Sequence, residues 1–168
     1  MARQARYGPH RYEYELGRRN YSFEAQVDKI VVNTEKRMNL VMQQSLLNAI
    51  NEMQVPVAKG GKMRVDTGFL RASGQSSLNG APTGPSIFPK EHEHLRGQHL
   101  GTLDTFKIAD TEVTIGKMKF GSTFFWGWTA NYAKYREAYD GFMYSVIQNW
   151  QQIVNKVVNE AKQRFPTK

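Results

Sequence analysis

The chain has 168 residues, enough for one domain that buries about two-thirds of the surface exposed by its unfolded form. A hydrophobic content of 40% and an aromatic content of 12% predict a packed core. The absence of cysteine excludes disulfides, thiol catalysis and thiolate metal sites. The sequence has neither a membrane-spanning apolar run nor a signal-like start, so we expect a protein that stays where it is made.

The net charge is +8, and the basic excess lies in three segments. Residues 1–20, 55–80 and 141–168 each carry +3, whereas residues 21–54 sum to −1 and residues 81–140 to zero. Such a surface favours either a polyanion, attracted in a salt-dependent way through its phosphates, or an acidic protein neighbour. Both remain open, because no recognition helix or RNA-binding signature accompanies the charge.

Residues 1–20 form a basic segment in which arginines alternate with tyrosines and aliphatic side chains are nearly absent. Such a segment cannot bury enough apolar surface to order itself alone, but Arg and Tyr dominate interfaces once a partner orders them. We predict an arm that docks on a neighbouring subunit or faces DNA, with a frayed terminus as the alternative. Its candidate contact residues are Arg3, Arg6, Arg11, Arg18 and Arg19.

A single domain is predicted over residues 21–168, and it begins with a helix of about thirty residues. Ser22 is the expected N-cap, and Pro56 lies just beyond the end. Apolar residues recur at three- and four-residue intervals, which predicts a stripe that covers a sheet or another helix.

A basic loop follows at residues 55–63, with Gly60 and Gly61 between Lys59 and Lys62. The loop lacks the upstream glycine of a P-loop and the Ser or Thr that follows its lysine, so no nucleotide site is predicted. Lys59, Lys62 and the nearby Arg64 are instead predicted to face DNA or a neighbouring subunit.

The next feature is a polar turn that runs into an apolar segment. It reads Val65, Asp66, Thr67, Gly68, Phe69, Leu70, Arg71, Ala72 and Ser73. Asp66 and Thr67 can accept hydrogen bonds from the following backbone amides, while Gly68 permits a backbone conformation that other residues avoid. Phe69 and Leu70 then supply buried surface. We predict a structural joint rather than a catalytic site.

Residues 79–101 form a long connection rich in Gly and Pro, which is typical of a functional or disordered segment. His92, His94 and His99 lie within it, near two glutamates. A His-x-His pair on an extended segment would place both rings on one face, with His99 completing a zinc or nickel site. The alternative, which we favour, is a solvated polar loop used as a contact surface, and no metal site is predicted.

Four strands are predicted at residues 75–78, 105–109, 112–116 and 123–129, the middle two joined as a hairpin. The last strand is densely aromatic, and its Trp126 and Trp128 either complete the core or face a neighbouring subunit. Asp140 is the predicted N-cap of one final helix that ends before Pro166. The predicted fold class is therefore α+β, a small, mainly antiparallel sheet of about four strands packed against long N-terminal and C-terminal helices.

Two of these segments resemble the tail-completion or neck proteins of long-tailed bacteriophages. Residues 65–73 carry a Val-Asp-Thr-Gly-x-Leu-Arg-x-Ser run, and Asn131, Tyr132, Ala133 and Glu137 carry the second part. The order of elements extends the resemblance over roughly residues 21–165. Such a resemblance assigns structural roles to Val65, Asp66, Thr67, Gly68, Leu70, Arg71, Ser73, Tyr132, Ala133 and Glu137.

The resemblance implies a virion structural protein that is assembled in the host cytoplasm and works at the head-tail junction. Identical subunits would close into a ring, a hexamer or a dodecamer. The ring would join portal-side or adaptor-side connector proteins to the tail tube or tail terminator proteins. Genomic DNA would make transient, non-specific contact with its lumen, and no membrane would be involved.

Two other classes compete with this interpretation. A small basic nucleic-acid-binding accessory protein would hold phosphates through residues 1–20 and 59–64. An enzyme is the third class, because Asp66, Thr67 and Gly68 also resemble the aspartic-protease signature. That protease needs an all-β framework, whereas helical patterns flank the motif here. We predict no catalytic residue and no cofactor.

Overall fold

The structure is a computed structural model that describes residues 23–96 and 108–164. The chain divides into two compact units, Met1–Arg37 and Met38–Lys168. The described part of the first unit consists of residues 23–37, which are helical, and the second unit holds every other described element. Residues 1–20, the predicted arm, lie outside the described residues, as does the predicted N-cap Ser22.

The helices and strands occur in the following order. They are α1 (Phe23–Met53), α2 (Phe69–Ala72), β1 (Gly74–Ser77), α3 (Ile108–Gly116), β2 (Phe125–Trp128), α4 (Ala133–Asp140), α5 (Phe142–Gln148) and α6 (Trp150–Arg164). Short 3-10 helices occupy Val57–Lys59 and Lys90–Leu95. None of these helices is long and apolar enough to cross a membrane.

The first helix, α1, has 31 residues, as its pattern predicts. In the second unit one face of the helix is buried. Its buried residues are Ser45, Ala49, Ile50 and Met53, and this spacing places them on one side of the helix. The residues of α1 in the first unit are exposed from residue 26 onward. The predicted apolar stripe is therefore covered only in the C-terminal part of the helix.

The sheet within the described residues has two antiparallel strands, β1 and β2, and not the four predicted. Gly74 pairs with Trp128, and Ser77 pairs with Phe125. The fold is mixed helix and strand, as expected, but helices supply most of its framework. The predicted strands at residues 75–78 and 123–129 correspond to these two.

The predicted hairpin at residues 105–116 is wrong, because residues 108–116 form helix α3. Thr111, Ile115 and Met118 are buried, whereas Val113 is exposed, which is a helical and not an alternating pattern. Asn39 and Gln43 of α1 donate side-chain hydrogen bonds to the carbonyls of Met118 and Ile115, at 3.1 and 3.0 Å. Those bonds join α1 to the C-terminal end of α3 and to the turn that follows it. Residues 105–107 lie outside the described residues.

The predicted single C-terminal helix is divided into α5 and α6, and the segment before it forms a further helix, α4. Asp140 is the last residue of α4 and not the N-cap of a following helix. Gly141, at φ +62°, separates α4 from α5, and Asn149 separates α5 from α6. The apolar spacing continues through the break at Asn149, so periodicity alone could not locate it.

Three apolar clusters form the core of the second unit. One is built around Met63, Phe69, Leu70, Phe88 and Phe142. A second joins α1 to α5 and α6 through Ala49, Met53, Val146 and Ile153. The third joins α1 to α3 through Ile50, Ile115 and Met118. Trp126 contacts both the second and the third clusters, so β2 links them.

Candidate functional site

A groove of about 800 Å³ brings together two segments that are distant in sequence. Residues 65–71 form one side, and Asn131, Tyr132 and Arg136 contribute from the start of α4. The remaining lining residues are Pro56, Val57, Ala58, Arg64, Ile87, Phe88 and Arg96. The groove therefore brings together residues from both of these segments.

The turn that precedes α2 is held by local hydrogen bonds. The amide of Phe69 donates to Oγ1 of Thr67 at 3.3 Å, and the hydroxyl of Ser73 donates to the carbonyl of Leu70 at 2.8 Å. Gly68 adopts φ +84°, a left-handed conformation that costs other residues energy. Thr67, Leu70 and Ser73 are buried, so the turn is anchored on both sides. Asp66 is exposed, Val65 is half-buried, and both line the groove.

Aromatic rings form the floor of the groove. The ring of Phe69 lies edge-on to Phe88, with centroids 5.6 Å apart, and contacts the tilted ring of Tyr132 at 6.3 Å. Burial raises the pKa of the Tyr132 hydroxyl above 10.0; Asp66 raises it further, and Arg96 and Arg136 oppose the rise. With its pKa raised mainly by burial, Tyr132 keeps its proton to a higher pH than an exposed tyrosine, in a groove that arginines also line.

The edge of the groove is organised around the carboxylate of Asp140. Its side chain is only 4% exposed, and it pairs with Arg136 one turn earlier in α4 and with Arg64, whose Nε lies 3.3 Å from Oδ1. Both guanidinium groups also stack on Tyr139, at 5.5 and 5.6 Å from the ring centroid. One carboxylate therefore faces two cations, which leaves a positive charge on this edge.

Arg96 forms the opposite edge of the groove. Its guanidinium lies 5.1 Å from the ring centroid of Phe88 and 2.6 Å from the carboxylate of Glu93. Arg71 also lines the groove. Four arginines thus line a floor of aromatic and aliphatic side chains, which suits a chain segment that presents carboxylates beside apolar side chains.

Glu137 is not among the residues that line the groove, and its side chain caps the first turn of α5. Its two carboxylate oxygens accept hydrogen bonds from the amides of Met143 and Tyr144, each at 2.8 Å. An acidic side chain that accepts from the first turn of a helix satisfies amides that would otherwise be unpaired and interacts favourably with the helix dipole. Ala133, the first residue of α4, is buried against the same core as Phe142.

The other residues selected from the sequence are dispersed. Lys59 and Lys62 are exposed on the turn before the groove. Trp126 and Trp128 are half-buried; their rings contact each other edge-on at 5.9 Å, and Trp128 contacts Phe142 at 4.9 Å. Arg3, Arg6, Arg11, Arg18 and Arg19 lie outside the described residues.

Arg96, Arg136 and Asp140 were not selected as site residues from the sequence. The four-residue spacing of Arg136 and Asp140 on one helix was a usable signal, since such pairs face each other. Arg96 offered none, because its position depends on how residues 79–96 fold over the core.

The histidine-rich segment does not form the extended strand that the zinc or nickel site would require. His92 and His94 lie in the 3-10 helix Lys90–Leu95 and not on an extended strand, His94 is exposed, and His99 is outside the described residues. Within residues 23–96 and 108–164, no cluster of three or more His, Asp or Glu side chains is arranged to hold a metal ion.

Comparison of the chain with protein-family models, with curated proteins and with solved structures found no match. Any functional assignment therefore depends on the two motif segments, residues 65–73 and 131–137, and on the geometry of the groove.

Proposed function

We propose that this protein is a virion structural protein that forms an oligomeric ring at the head-tail junction of a long-tailed bacteriophage. The observation that supports this most directly is the convergence of residues 65–71 and 131–136 on one groove. These segments carry the resemblance to tail-completion and neck proteins. Residues that resemble the family thus form one structural unit in this chain.

The chemistry of the groove supports binding rather than bond breaking. Several of its charged residues make ion pairs and ring contacts, as Arg64 and Arg136 do with Asp140 and Tyr139. Thr67 accepts a backbone hydrogen bond, and Glu137 caps a helix. These contacts position a surface, which is the task of an assembly protein.

The exposed aromatic residues of α4 and α5 support the same proposal. Tyr135, Tyr139 and Tyr144 are 67%, 74% and 62% exposed, and Tyr139 is held between two arginines. Tyr and Arg are enriched at the energetic centres of protein interfaces; Tyr buries a large area with few rotatable bonds, and Arg offers several hydrogen-bond donors. A ring subunit needs such surfaces toward its own copies and toward the layers above and below it.

In this proposal, the ring is a hexamer or a dodecamer that joins portal-side or adaptor-side connectors to the tail tube or tail terminator. Its basic residues, including Lys59 and Lys62, meet the passing genome without reading sequence. The protein is made in the host cytoplasm and ends in the virion.

The test is the assembly state of the purified chain, measured by light scattering after size-exclusion chromatography and by electron microscopy. Closed rings of uniform subunit number are the expected result. A chain that remains monomeric at high concentration and binds duplex DNA tightly, with an affinity that falls steeply with salt, would instead identify a nucleic-acid-binding accessory protein.

A further inference from the structure

The first unit presents apolar side chains on an exposed helical surface. Val27, Ile30, Val31 and Val32 are 40%, 65%, 48% and 45% exposed. Exposed aliphatic residues in a cluster, rather than singly, mark a surface that another molecule covers.

Around this helical segment, two carboxylates lie between Val31 and Val32, beside the face that Val27 and Val31 share. Val27 and Val31 are four residues apart and therefore share a face. Asp28 and Glu35 are seven residues apart, so two helical turns bring them nearly into line with each other. Both lie beside the face that carries Val27 and Val31. All four are exposed. We call Val27, Asp28, Val31 and Glu35 the α1 acidic face.

The groove has the complementary chemistry. Its apolar lip includes Ile87 and Val57, which are 71% and 53% exposed, and its floor is Phe88. Its arginines leave a positive edge because Asp140 neutralises only one of its two partners. An apolar face bordered by carboxylates matches an apolar groove bordered by arginines.

We propose that the α1 acidic face of one copy docks in the arginine-lined groove of the next copy. This inference rests on the proposed self-assembly and names the contact that drives it. The two surfaces are different, so a bound pair keeps one free groove on one copy and one free helix on the other. Such a head-to-tail contact closes into a ring when its rotation permits.

A second copy explains the site better than nucleic acid does. Phosphates would be attracted to the arginines, but they would leave the exposed apolar lip of the groove uncovered. They would also be repelled by Asp28 and Glu35, so the α1 acidic face would stay unpartnered. Docking between copies covers both apolar surfaces and pairs both sets of charges.

Site-directed cross-linking tests the contact directly, because the native chain has no cysteine. Val31→Cys and Ile87→Cys are made in separate chains, mixed and mildly oxidised. A disulfide-linked dimer containing one copy of each variant is the expected product. The matched control mixes Val31→Cys with Gln151→Cys, an exposed position on α6, and should give no comparable dimer.

A mixing experiment tests the head-to-tail geometry. The groove variant carries Ile87→Ser and Arg96→Ser, and the helix variant carries Val31→Ser and Glu35→Ser, all at exposed positions, so the two altered surfaces cannot regain a charge pair with each other. Each variant alone should assemble at least about tenfold more weakly than the native chain. A one-to-one mixture retains one intact groove and one intact helix, so sedimentation velocity should show a heterodimer that grows no further.

The outcomes separate this inference from the proposed function. Native rings that show no Val31–Ile87 cross-link, and whose assembly both variants leave unchanged, would overturn the contact while leaving the ring proposal standing. A native chain that stays monomeric throughout would overturn both.

Discussion

Asp140, the last residue of α4, forms an ion pair with Arg64, which lies just before the Asp-Thr-Gly turn. Oδ1 of Asp140 is 3.3 Å from Nε of Arg64. This ion pair joins the last residue of α4 to the residue just before the first motif segment. It also explains why Asp140 does not cap a following helix: its oxygens are occupied by Arg64 and Arg136.

Replacing Asp140 with alanine should lower the free energy of unfolding by about 1–3 kcal/mol, because two cations then lose a buried partner. Replacing Arg64 with alanine should cost no more than about 1 kcal/mol, since Arg64 is 63% exposed and Asp140 keeps Arg136. Urea denaturation of both variants measures the difference. An Arg64→Ala loss as large as that of Asp140→Ala would contradict this account.

The cap on α5 gives a second prediction. Glu137→Ala removes the acceptor of two backbone amides and should destabilise the protein by about 1–2 kcal/mol. Glu137→Gln keeps one oxygen and should lose less. Glu52→Ala, at an exposed position in α1, is the control and should stay within about 0.5 kcal/mol of the native chain. Thermal or urea unfolding provides the ranking, and equal losses for Ala and Gln would argue against a capping role.

The Asp-Thr-Gly turn depends on the backbone of Gly68. Gly68→Ala forces a side chain into φ +84° and should cost about 1–2 kcal/mol. Gly116→Ala is the matched control, because its added methyl group meets nothing within 4 Å and it lies at the end of helix α3. The control should be neutral or slightly stabilising in the same unfolding assay, whereas an unchanged Gly68→Ala protein would remove the proposed constraint.

Tyr132 predicts how stability depends on pH. Its folded-state pKa is raised above the reference value of 10.0, so the folded protein holds the phenolic proton more tightly than the unfolded chain. This contribution is fully present below about pH 10 and is lost as the pH rises through the folded-state pKa. The unfolding free energy should therefore fall less at alkaline pH in Tyr132→Phe than in the native chain. Tyr135→Phe, at an exposed position, should retain the full decline.

The parts of the fold that sequence predicts well are those with one dominant pattern. Helix α1 repeats its apolar spacing over 31 residues, so its extent is clear. Helix α3 was mistaken for strands because its β-branched residues, Val113 and Ile115, also satisfy an alternating pattern. Its buried face includes the polar Thr111, which concealed the helical period.

The motif residues that line the groove could be selected from the sequence, but the sequence did not predict that they lie close together in the fold. Residues 65–71 and Tyr132 were associated only through the resemblance, and their shared groove depends on the packing of Phe69, Phe88 and Phe142. The contribution of Arg96 depends on a long connection without regular spacing, where local patterns carry no information about position.

The basic loop at residues 55–63 offers a position for inserting a peptide tag. Its base is closed by backbone hydrogen bonds from Val57 to Met63 and from Met63 to Val55, at 3.0 and 3.3 Å. Gly61 cannot be extended, because an added side chain would overlap the carbonyl of Val55, but Gly60 has open space around it. A short peptide tag inserted beside Gly60 should therefore leave the fold intact. Such a tag would allow antibody labelling of the folded subunit.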